Sequence, residues 1–167
     1  MNICEHLALT AKLFPDKEVI VFEGQRFTFA ELDSSSRSVA QLLIESGIVR
    51  GDRVAIMMPN VPAFVVWYYG VLRAGAIAVS ISTRLAASEV SFLVGDCTAK
   101  AFVALSDTLA KVKSDLPECV ANCYEASDLG NLCNGEPLKQ PTAESEHWTD
   151  AEPDDPALIL YLSLIHI

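Results

Sequence analysis

GDRVAIMMPNVPAFVVWYYGVLRAGAIAVSIS, residues Gly51 to Ser82, is the stretch whose reading decides the fold. Arg53 to Met58 is a short apolar run suited to a strand covered on both faces. Pro59-Asn60-Val61-Pro62 stops it, because two prolines remove backbone donors and restrict φ. Ala63 to Ala74 follows, apolar almost all round with Arg73 as its single charge, and such a helix is expected to be buried. Gly75 stands where a helix end favours positive φ, and Ala76 to Ile81 is a second apolar run. Two buried strands joined by a helix make a parallel βαβ unit with a right-handed crossover. The competing reading is a membrane span, since Val54 to Leu72 runs 19 residues without a charge. One helix cannot cross Met58 to Pro62 without losing backbone hydrogen bonds that lipid does not replace, so the span is rejected.

Working outward toward the start, Asn2 is placed to cap a helix running to about Phe14, with Ile3, Leu7 and Ala11 on one face. Glu18 to Phe22 and Gln25 to Thr28 read as strands joined at Glu23-Gly24, a hairpin. Thr28-Phe29-Ala30-Glu31 has capping-box spacing and opens a helix to Ser46, ended by Gly47, with Leu32, Val39 and Leu43 inward. Ser34-Ser35-Ser36 reads as exposed helix surface, since no glycine elbow marks a nucleophile. Toward the other end, Ser88 is expected to cap a short helix to Val94 and Ser106 another to about Lys113. Strands are expected at Lys100 to Leu105, Glu118 to Tyr124 and Ala157 to Leu162, with an acidic surface excursion over residues 125–155. The alternation implies a three-layer α/β fold, a parallel sheet covered by helices. Val54, Ile56, Val65, Val66, Leu72 and Val79 are the expected core of the central unit.

The 167 residues suffice for one domain with its own core, and 51% hydrophobic composition excludes general disorder. The net charge of −10 is uneven: residues 1–105 hold 10 acids and 9 bases, residues 106–167 hold 12 acids and 3 bases. No basic stripe exists, which argues against nucleic-acid binding, and the acidic half reads as solvated surface. Cys4, Cys97, Cys119, Cys123 and Cys133 make an odd count with no C-x-x-C pair, and Glu5, His6 and Lys12 occupy the place of a secretory h-region. Reduced thiols, no metal site and a cytoplasmic location are the expectation.

Catalytic motifs are scarce. No G-x-G-x-x-G is present, and Gly70 and Gly75 have Walker spacing but are followed by Ala76-Ile77 in place of Lys-Ser/Thr. His6, His147 and His166 are scattered and read as surface or packing residues, and Trp67, Tyr68 and Tyr69 read as core rather than pocket lining. Phe27-Thr28-Phe29-Ala30-Glu31-Leu32, Gly47, Gly51 to Ile56, Pro59-Asn60 and Leu72-Arg73-Ala74-Gly75-Ala76 nevertheless occur in a distinctive order. Together they resemble the opening of the adenylate-forming (AMP-binding) ligases, which include acyl-CoA synthetases, luciferases and the adenylation domains of peptide synthetases. Asp154 to Tyr161 resembles the strand entering that family's phosphate-binding loop. Acyl-CoA synthetases, the fatty-acid–CoA ligases, are the most similar subgroup.

The resemblance implies two half-reactions: ATP and a carboxylic acid give an acyl-adenylate, and a thiol such as coenzyme A then displaces AMP, with Mg²⁺ assisting. It implies that residues 1–161 are the truncated N-terminal subdomain of such a ligase, starting at Met1. A glycine- and threonine-rich loop is expected after Tyr161, but the chain reads Leu162-Ser163-Leu164-Ile165-His166-Ile167. Only Ser163 fits as a cofactor-binding remnant, and residues 162–167 read as a non-native tail. Catalytic and metal-binding residues are expected to lie outside this chain, so the fragment is expected to be inactive, binding neither ATP, Mg²⁺ nor coenzyme A tightly. The alternative is a non-enzymatic α/β binding or interaction module.

Overall fold

The computed structural model describes residues 2–141 and 154–161. Helix α1 (Ile3–Leu13) begins with a capping box: Asn2 Oδ1 accepts from the Cys4 and Glu5 N–H groups at 3.0 Å, and the Glu5 carboxylate accepts from Asn2 N–H at 2.8 Å. Strands β1 (Glu18–Phe22) and β2 (Gln25–Thr28) pair antiparallel as a separate ribbon. Their turn at Glu23-Gly24 takes φ of 49° and 81°, the primed geometry that matches strand twist. Helix α2 (Phe29–Glu45) has the expected second capping box between Thr28 and Glu31, with N···O distances of 3.2 and 2.8 Å.

The βαβ unit of Gly51 to Ser82 forms as β3 (Arg53–Met57), α3 (Pro62–Arg73) and β4 (Ile77–Ser80). Then come α4 (Ala87–Asp96), β5 (Ala101–Leu105), α5 (Ser106–Val112), a 3₁₀ turn at Lys113–Asp115, β6 (Asn122–Ala126), β7 (Leu132–Cys133), β8 (Glu136–Pro137) and β9 (Leu158–Leu160). Among the described residues the main sheet runs β8-β7-β6-β5-β3-β4-β9. The five strands β6 to β9 in that order are parallel, and β7 and β8 extend one edge antiparallel.

Both faces of the central strands β3, β4 and β5 are covered, which is why they read as continuous apolar runs. Val54, Ile56 and Val103 point to a layer containing Leu43, Val66, Trp67 and Val71 of α2 and α3. Ala55, Met57, Val79 and Phe102 point to the opposite layer with Val90 and Val94 of α4 and Leu109 of α5. This is the three-layer architecture that the alternating elements imply, each large buried side chain contributing about 1.5–3 kcal/mol.

Several local expectations are corrected. Val65 is only partly buried, because α3 packs Ala63, Val66, Trp67, Gly70 and Val71 inward and leaves Phe64, Val65, Tyr68 and Tyr69 partly covered. Ser36 is fully buried rather than exposed. It lies on the face where α2 meets α3, and its Oγ donates to the Asp33 carbonyl at 3.0 Å. Ser88 does not cap α4: the cap is Ala86, whose N–H donates to Glu89 at 2.8 Å, and Ala86 has no side-chain acceptor to return the bond. Ser106 is the first residue of its helix, with Leu105 at the cap position. The strand expected at 118–124 is shifted to Asn122–Ala126, because Pro117 and the turn it begins occupy the earlier positions. Within the 125–155 excursion the hairpin β7–β8 joins the main sheet, turning at Asn134-Gly135 with φ of 51° and 80°. Leu162, at the end of the last expected strand, and the tail that follows lie outside the described residues, as do His147 and His166.

Candidate functional site at the carboxyl edge of the sheet

Strand β4 lies on one side of β3 and β5 on the other, so the chain reverses its direction of travel across the sheet there. In parallel α/β sheets such a switch point opens a crevice beyond the carboxyl ends of the strands. A cavity of about 530 Å³ occupies this place, lined by Pro59 after β3, Thr83 after β4, Asp107 after β5, and Glu125 and Asp128 at β6 and beyond. Lys111 of α5 is its cationic lining residue. The loop after β6 is held on α3: Ala63 N–H donates to Asp128 O at 3.0 Å, and Ser127 Oγ donates to Asn131 Oδ1 at 2.9 Å. Gly130, at φ of 70°, sits where a Cβ would lie 2.9 Å from Ala63 Cα.

A second cavity of about 570 Å³ lies at the ends of β4 and β9. Its walls are more apolar, with Ile81, Leu85, Phe92 and Leu93 facing Tyr161. The Tyr161 hydroxyl donates to Asp96 Oδ2 at 2.7 Å. Desolvation, and then the Asp96 carboxylate beside it, pushes the phenol far above its ordinary range. Tyr161 thereby anchors the end of β9 on the last residue of α4.

The opposite edge is structural. Arg53 Nε donates to Cys97 O at 2.7 Å and its Nη1 to Gly51 O at 2.9 Å, which satisfies a carbonyl at the C-terminus of α4. Arg73, 2% exposed, pairs with Asp33 Oδ1 at 2.6 Å and so joins α3 to α2. Burial lowers the guanidinium pKa, and Asp33 opposes that shift.

Of the residues singled out in the sequence, Ser163 lies outside the described residues. Trp67 is fully buried with its ring 5.4 Å from that of Tyr124, and Tyr68 and Tyr69 are half-buried, their hydroxyls raised by burial. Gly70 is a helix contact and Gly75 a helix terminator at φ of 72°, so neither belongs to a phosphate loop. Among the described residues no group of three His, Cys, Asp or Glu side chains could hold a metal ion, and no helix is long and apolar enough to cross a membrane. The cavity residues Thr83, Asp107 and Glu125 carry no motif. Their only sequence signal is that each closes or follows an apolar strand run.

The fold and this edge define an α/β domain of the doubly wound kind. The sequence profile of the AMP-binding enzyme family matches residues 7–163. The long-chain-fatty-acid–CoA ligase FadD13 of Mycobacterium tuberculosis is 33% identical over 144 residues, covering 83% of this chain and 27% of the relative. The long-chain-fatty-acid–CoA ligase of Bacillus subtilis is 36% identical over 96 residues, covering 58% of this chain and 17% of the relative. The crystal structure of the N-terminal domain of FACL13 from Mycobacterium tuberculosis superposes with a TM-score of 0.81 at 30% identity, covering 98% of this chain and 42% of that one. The chain belongs to the AMP-binding enzyme family, as an acyl-CoA synthetase-like domain. It spans about a quarter of the length of the FadD13 relative and matches its N-terminal part.

Proposed function

We propose that this chain is the N-terminal part of an ATP-dependent ligase that activates a fatty acid as its acyl-adenylate and passes the acyl group to coenzyme A. The observation that carries this reading is the family match across residues 7–163, together with the similarity to two bacterial long-chain-fatty-acid–CoA ligases. On this reading β9 delivers the chain through Tyr161 to the phosphate-binding loop, of which Ser163 is the remnant. A cytoplasmic location accords with it.

The polar cavity at the carboxyl edge does not suit a nucleoside triphosphate. The polar cavity sets Asp107, Glu125 and Asp128 against Lys111, and like charges there would repel the phosphates. Mg²⁺ and ATP, when bound to the complete ligase, would stabilise charge developing on the transferring phosphorus and the leaving pyrophosphate. What this chain supplies is the scaffold: the Asp33–Arg73 and Arg53–Cys97 ties, and the Tyr161–Asp96 bond that fixes where β9 ends. The 167-residue chain alone is therefore inactive in adenylation.

Pyrophosphate exchange with ATP, Mg²⁺ and short to long fatty acids tests both parts. The expected result is no exchange from the 167-residue chain and fatty-acid-dependent exchange from a full-length gene carrying the loop. Exchange by the short chain overturns its inactivity, and no exchange by the full-length protein with any acid overturns the ligase reading.

A further inference from the structure

The thiols of Cys97 and Cys119 converge on one acceptor. Cys97 is the C-cap of α4, and its Sγ lies 3.5 Å from Val94 O. Cys119, in the loop between the 3₁₀ turn and β6, places its Sγ 3.8 Å from the same oxygen. The sulfurs are therefore no farther apart than the sum of those distances, 7.3 Å. That Cys119–Val94 contact already joins the loop to the helix end. A disulfide needs about 2.05 Å between sulfurs, so closure requires χ1 rotation of both residues off Val94 O. The Cys119 backbone belongs to neither helix nor strand, so it can follow. Both thiols are free, Cys97 buried and Cys119 half-buried, which gives a small oxidant a way in at Cys119.

We propose that Cys97 and Cys119 are a peroxide-oxidisable thiol pair that closes to a disulfide tying the end of α4 to the loop ahead of β6. A hydroperoxide oxidises Cys119 to the sulfenic acid, its O–O bond breaking and the corresponding alcohol or water leaving. Cys97 sulfur then attacks the sulfenic sulfur; the S–O bond breaks, and the hydroxyl departs as water with the Cys97 proton. The two thiols lose two electrons together, and the peroxide gains them. The inference stands on the thiol geometry alone and does not depend on the ligase reading.

The test is hydrogen peroxide treatment of the native 167-residue chain, followed by denaturation, alkylation and non-reducing peptide mapping. The expected result is a fall from five alkylatable thiols to three, a Cys97–Cys119 linked peptide, and return to five with dithiothreitol. Cys119→Ser should abolish the link, and Cys123→Ser, altering the half-buried neighbour on β6, should retain it. Five thiols after oxidation, a bridge through Cys4, Cys123 or Cys133, or a covalent dimer on a non-reducing gel would each overturn the proposal.

Discussion

Gly70 has no room for a methyl group. A Cβ there would lie 2.4 Å from Val39 Cγ1, 2.6 Å from Val39 Cβ and 3.2 Å from Ser36 O, so α2 and α3 meet on glycine, serine and valine. Alanine would gain about 1 kcal/mol of helix propensity, but Val39 Cβ is fixed to its backbone and cannot swing aside. Gly70→Ala should therefore lose about 1–3 kcal/mol in urea denaturation. An equal or higher midpoint for Gly70→Ala alone would contradict the close approach. Cys4 and Cys133 give a second residue-scale expectation. Burial raises both thiols from 9.0 to about 11. The folded state thus keeps protons that the unfolded state releases, so their contribution is complete below pH 9 and is lost as pH rises toward 11. Stability should fall over that window by about 2 kcal/mol per thiol. Replacing both with alanine should flatten the slope of stability between pH 8 and 10.5, and an unchanged slope would refute it.

The element on which the core depends is α3. Val66 is 2% exposed and lies among side chains of α2 and the sheet, beside Trp67 and Val71. Val66→Asp would place a carboxylate there without a partner, at a cost of several kcal/mol, enough to unfold a domain of ordinary stability. We expect insoluble protein or loss of the helical circular dichroism signal, and a soluble variant with an unchanged spectrum would mean that α3 is not core. The other face of α3 shows why helix burial must be read face by face. Its hydrophobicity is almost uniform, yet Phe64, Val65, Tyr68 and Tyr69 are only partly covered.

At the scale of the whole molecule, β9 forms one edge of the sheet among the described residues and carries exposed apolar surface. Leu160 is 60% exposed and Leu158 38% on β9, and Phe92 of α4, which lines the apolar cavity, is 70% exposed. Edge strands that offer unpaired backbone and apolar side chains recruit other chains. The 167-residue chain should self-associate with rising concentration in sedimentation velocity. Leu160→Lys with Phe92→Lys should shift it toward monomer without lowering its stability, since neither side chain is buried. A wild-type chain that stays monomeric at high concentration would show that this edge is not adhesive.

Local chemistry in the chain determined the elements: two capping boxes, the prolines ahead of α3, the glycine after it, and the unbroken apolar runs of β3, β4 and β5. These signals are legible because each arises from hydrogen bonds or burial patterns within a few residues. The resemblance of the Gly51 to Gly75 block also pointed to the family. Tertiary structure decided the order of strands, the crevice between β3 and β5, and the pairing of Arg73 with Asp33 40 positions away. It likewise decided that Ser36 is interior and that Cys97 and Cys119 share an acceptor. Sequence periodicity reports which face of a helix is apolar but not what meets that face. The carboxyl edge collects loop residues whose only common property is position after a strand, and parallel pairing alone brings them together.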